Sequence, residues 1–124
     1  MDTGTIKWLV TGAFAAHGVG MIGAAGYLPW SVRDPKGEFI GASWLLGGGF
    51  LAIAIGVVVW AIAGAGFIGA AIGFWQGAPW WRPAAWIGSV FTLLAIALWA
   101  GKVPFGVYVG GALAVGTIGY LVLR

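Results

Sequence analysis

Residues 6–30 read IKWLVTGAFAAHGVGMIGAAGYLPW, an apolar run with a lysine near its start and a histidine, His17, in its middle. A continuous apolar stretch of about 20 residues is the length at which an α-helix crosses the hydrocarbon of a bilayer. It crosses as a helix because a backbone in lipid has to satisfy its own hydrogen bonds. Lys7 and Trp8 stand at one end of the run, Tyr27 and Trp30 at the other. A snorkelling lysine and amphipathic rings hold a helix at the two water interfaces in this way. The segment exceeds the roughly 7–15 apolar residues of a signal-peptide core, so we read it as a retained span.

The rest of the chain agrees with a membrane solvent. Of 124 residues, 61% are hydrophobic and 7% charged. A soluble domain is about 25% charged, so this composition cannot cover a water-facing surface. The net charge of +3 is spread over loops and ends, which suits topology and lipid headgroups and does not suit nucleic acid. Without cysteine the chain makes no disulfide, iron–sulfur or thiol redox site.

After the first span, Ser31 to Glu38 forms a polar loop. From Phe39 to Trp75 no residue is charged. One helix of that length would be about 55 Å, too long for a core of about 30 Å, yet two full spans would not fit. The consecutive glycines Gly47, Gly48 and Gly49 are costly to hold in a helix, so a break falls there. A short interfacial or re-entrant segment at about 40–46 is expected to precede a second span at 52–75. Pro79 and Pro83 flank the start of a third span at 84–100, and Gly101 to Pro104 separates it from a fourth at 105–123. The expectation is a single all-α membrane domain over 1–124, a compact bundle of four transmembrane helices with the spans 7–29, 52–75, 84–100 and 105–123. With this layout Lys7, Arg82 and Arg124 share one side and Arg33, Lys36 and Lys102 the other, so the positive-inside rule sets no orientation.

Glycine makes up 24 residues, and small residues let membrane helices approach closely. Small-residue spacings mark Gly12, Ala16 and Gly20, then Gly69 and Gly73, then Gly106 and Gly110, as helix-packing positions, within the chain or against a partner. Trp8, Trp30, Trp80, Trp81 and Trp99 fall near span ends and read as interface anchors. Trp60 and Trp86 lie deeper, where packing or a cavity lining accounts for them.

Chemistry in the spans rests on His17 and a few hydroxyls, among them Thr11, Ser89, Thr92, Tyr108, Thr117 and Tyr120. Asp2, Asp34 and Glu38 all fall outside the spans, so a nucleophile–histidine–carboxylate arrangement has no buried acid. One histidine without cysteine supplies too few ligands for a metal site. An ionisable group at that depth is a functional candidate by default. It reads as an interhelical hydrogen bond worth about 1 kcal/mol, or as an axial ligand to a tetrapyrrole, haem or bacteriochlorophyll. Quinone or lipid binding near His17 is a further reading, and transport of a small hydrophobic solute a third.

Several four-helix families of this length lack their essential residue here. Small multidrug transporters need a carboxylate in the first helix, where this chain has Ala13 to His17. Small fluoride channels need an asparagine, and vitamin K epoxide reductase-like proteins a Cys-x-x-Cys. Ala13-x-x-x-His17 is similar to the Ala-x-x-x-His spacing of bacterial light-harvesting polypeptides. The segments around Ala15-His17-Gly18, Trp60 to Phe74, Trp80 to Pro83 and Ser89 to Trp99 together resemble a broad group of small four-helix bacterial membrane proteins, loosely DoxX-like. That resemblance implies a four-helix bundle in the bacterial inner membrane and carries no catalytic residue onto this chain. The expected function is therefore a non-enzymatic structural or accessory subunit, with lipid and other membrane subunits or itself as partners.

Overall fold

The structure, a computed structural model, describes residues 2–31, 43–47, 49–100 and 105–124, without the side chains of residues 27–31. Four helices follow in order: α1 (Thr3–Ser31), α2 (Phe50–Gln76), α3 (Trp81–Leu98) and α4 (Phe105–Leu123). All four are long and apolar enough to cross a membrane. The chain is an all-α multi-pass bundle. The 32–42 loop, Trp30 as an anchor and the 101–104 break lie outside the described residues.

Each boundary has a local cause. Asp2 precedes α1, and its Oδ1 accepts the backbone N–H of Thr5 at 2.6 Å, an N-cap that starts the helix ahead of the apolar run. That bond holds the Asp2 carboxyl below its ordinary range. A lowered pKa means the cap is fully present above the unfolded value of 3.8 and is lost as pH falls through the folded one. The protection of the Thr5 amide relative to its intrinsic exchange rate should therefore fall on acidification below that value while amides deeper in α1 keep theirs. Equal protection of Thr5 across the same pH range would mean that Asp2 does not cap α1.

α2 begins after Gly49, where the glycine run breaks the chain, and ends at Gly77 with φ of 69°. Gly77 N–H donates to Phe74 O at 3.2 Å and Ala78 N–H to Gly73 O at 2.9 Å. This left-handed glycine closure turns the chain directly into α3. α3 stops at Leu98, short of the expected 100. The expected 40–46 segment appears, in its described part, as a tight turn closed by Ser43 and Gly47, which pair through both backbone groups at 2.8 and 3.0 Å. Gly47 supplies the φ of 77° that this closure needs. The turn caps α3: Ser43 Oγ donates to Leu98 O at 2.5 Å and Trp44 Nε1 to Ala97 O at 2.6 Å. Two carbonyls that a helix end leaves unpaired are thereby satisfied.

α2 is the central helix, packed along α1 on one side and α3 on the other, and α4 lies against α3. α1 and α4 meet only sparsely. In lipid, apolar surface gains nothing by leaving the tails, so close contact and hydrogen bonds hold such helices together. The close contacts are made at glycines. A Cβ added to Gly66 would lie 2.5 Å from Gly88 N and 2.7 Å from its Cα, and one on Gly64 2.7 Å from Gly18 O. The α1/α2 and α2/α3 pairs therefore meet backbone to backbone. Two apolar clusters fill the remaining space, one around Phe14, Phe67 and Ala114, the other around Met21, Trp60 and Trp99.

Candidate functional site

His17 lies between the two clusters along α1. Its Nε2 and the Thr92 hydroxyl of α3 share a hydrogen bond of 3.1 Å, with the donor set by the imidazole tautomer. The ring meets Phe67 of α2 edge to face, with centroids 4.8 Å apart. On its other side the Nδ1–Cε1 edge lies against Gly110 of α4, so close that a Cβ there would fall on the ring. One imidazole thus touches all three other helices. Thr92 is fully buried, so without His17 its hydroxyl would have to turn to its own helix.

Because α1 and α4 diverge on either side of this contact, a cleft runs between them in two halves that share Ala13 and Leu113. One half, about 620 Å³, is lined by small residues including Ala16, Gly20, Ala24 and Gly106, with His17 at its edge. The other, about 470 Å³, is walled by Phe14, Phe74, Trp81 and Tyr120. It lies toward the end of the bundle that carries Lys7, Arg82 and Arg124.

The packing glycines divide in an informative way. Gly73 meets Trp81, and Gly110 meets His17. Gly69 makes only ordinary contact, 3.5 Å to the Ala84 Cβ. A Cβ added to Gly12, Gly20 or Gly106 would meet nothing within 4 Å among the described residues, and Ala16 is exposed, so these four close no helix pair among the described residues. The pairs that do close, Gly18 with Gly64 and Gly66 with Gly88, lie outside the expected spacings, because which helices pair is not written in any one helix.

The tryptophans need a similar correction. Trp8 and Trp80 are exposed near helix ends. Trp99, at 3% exposure, is turned inward against Gly56, with its ring centroid 5.9 Å from that of Trp60. Trp81 is half-buried and packs on Phe14, Phe74 and Tyr120. Both fill space between helices, since a ring at a helix end faces whichever side its helix turns it to. Trp60 is buried and Trp86 partly exposed.

Ser89 is fully buried in α3 and its Oγ has no hydrogen-bond partner among the described residues. His17 pairs with Thr92 one turn along the same helix, so Ser89 and the histidine are not joined as nucleophile and base. The chain matches no protein-family model, no curated protein and no solved structure.

Proposed function

We propose that this chain is a non-enzymatic subunit of the bacterial inner membrane, which packs the small-residue half of its α1/α4 cleft against a transmembrane helix of another subunit or a second copy. The distribution of glycines carries this reading. Gly64, Gly66, Gly73 and Gly88 on α2 and α3 meet a neighbouring helix closely, as do Gly18 on α1 and Gly110 on α4, whereas a Cβ on Gly12, Gly20 or Gly106 would meet nothing within 4 Å among the described residues. Small residues admit a helix backbone at close range, and two of the open ones, Gly20 and Gly106, line the groove between α1 and α4. The placement in a bacterial inner membrane rests on the resemblance to DoxX-like proteins.

A tetrapyrrole ligated by His17 is the weaker reading. Nε2 is bonded to Thr92 and the Nδ1 edge abuts Gly110, so neither nitrogen faces an open plane. These residues fit a hydrogen-bonded helix contact and do not fit an axial ligand.

Gly20→Leu and Gly106→Leu should each reduce the particle size in mild detergent toward that of a single chain, with helicity unchanged. Unaltered size in both variants would refute the packing reading. A Soret or near-infrared band in the purified protein that vanishes in His17→Ala would replace it with a pigment-binding one.

A further inference from the structure

The aromatic half of the cleft has features that helix packing does not use. Its volume of about 470 Å³ lies within the roughly 300–1,000 Å³ of small-molecule sites. Thr117 lines it at 8% exposure, and its hydroxyl makes no hydrogen bond among the described residues. Tyr120, one turn further along α4, lines it as well. The Thr117 oxygen is not sealed in the interior as those of Thr11 and Ser89 are, so it stays accessible to an acceptor that enters the cavity.

The rim is basic. Lys7 follows the lining residue Ile6, Arg82 follows Trp81, and Arg124 lies one turn beyond Tyr120. Lys7 sits 4.6 Å over the Trp75 ring and Arg82 5.4 Å over the Trp81 ring, and neither forms an ion pair among the described residues. The single acidic side chain among the described residues, Asp2, accepts the Thr5 amide. The complementary molecule is long and apolar, carries an acceptor near its polar end and ends in a negative charge.

We propose that this half of the cleft holds one acyl chain of an anionic phospholipid, with an ester carbonyl toward Thr117 and the phosphate among Lys7, Arg82 and Arg124. The chain lies between α1 and α4 against Phe14, Phe74 and Trp81, and the headgroup stays at the water interface. Opening sideways to the bilayer, the cleft admits the lipid without passage through water. The site is separate from Gly20 and Gly106, so its failure and that of the packing reading can be told apart.

Native mass spectrometry of the whole chain in mild detergent tests it, with phosphatidylglycerol and phosphatidylcholine of identical acyl chains. Phosphatidylglycerol should be retained preferentially, and Lys7→Gln and Arg82→Gln should each lower that preference about fivefold, from the contribution of one basic residue near a charged surface. Gly116 lines the cavity with no neighbour within 4 Å, so Gly116→Leu should fill it and release both lipids. In the unmodified protein, a photoreactive acyl chain should label residues 6–14 and 113–120. Equal retention of the two lipids, displacement by millimolar inorganic phosphate alone, or labelling centred on the outer face at Ile72 and Val90 would each overturn the proposal.

Discussion

Alanine at position 66 should separate α3 from α2 and lower stability by about 3 kcal/mol, the upper end of what overpacking of a close-packed interior costs. The added methyl group would meet Gly88 N at 2.5 Å, Gly88 Cα at 2.7 Å and Ala84 O at 3.0 Å, all of them backbone. A side chain can rotate away from such a contact, but a helix backbone moves only as a unit. Alanine gains about 0.5–1 kcal/mol over glycine in helix propensity, too little to offset the overlap. Gly69→Ala is the matched control on the same helix, three residues on. Its methyl group would sit 3.5 Å from the Ala84 Cβ, an ordinary contact, so the propensity gain should leave it neutral or slightly more stable. Reversible unfolding in mixed micelles separates the two. Equal stability of both variants would mean that α2 and α3 do not meet at Gly66 and Gly88.

That contrast marks where the sequence stops being legible. Helix number and span limits follow from hydropathy, because lipid excludes charge and demands an internally bonded backbone. The break before α2 follows from the glycine run, and Gly47 indeed takes a left-handed conformation there. Which faces meet is a different question. With apolar residues all around each helix, no stripe distinguishes lipid from neighbour. Gly69-x-x-x-Gly73 therefore looks like a packing motif, while Gly69 makes only ordinary contact and Gly64 and Gly66 make closer ones. Trp99 and Trp8 are alike in composition and position, yet one is buried and the other exposed. His17 stands out as an ionisable group inside a span, but nothing in α3 singles out Thr92 from Ser89, and the close approach of Gly110 needs the fourth helix in place. The cleft was not legible for the same reason: it exists because α1 and α4 diverge, a property of the pair.

Gly110→Ala should cost about 1–3 kcal/mol in the native chain and close to nothing when His17 is already alanine. The methyl group at position 110 would fall on the imidazole ring. To make room the ring must swing off α4, and this breaks the 3.1 Å bond to Thr92. Removing the ring frees that space, so the second substitution then meets no obstacle. Thr92→Val alone removes only the hydrogen bond, about 1 kcal/mol in a membrane interior. It should therefore cost less than Gly110→Ala, although Thr92 is the more deeply bonded partner. A double-mutant cycle on the stabilities of Gly110→Ala, His17→Ala and the pair reads the coupling directly. Additive costs would place the imidazole away from Gly110. A coupling near the full cost of Gly110→Ala would identify His17 as the wedge that fixes the spacing of α1 and α4. The width of the cleft on both sides would then depend on a single side chain, and a larger residue at 110 would alter both halves at once.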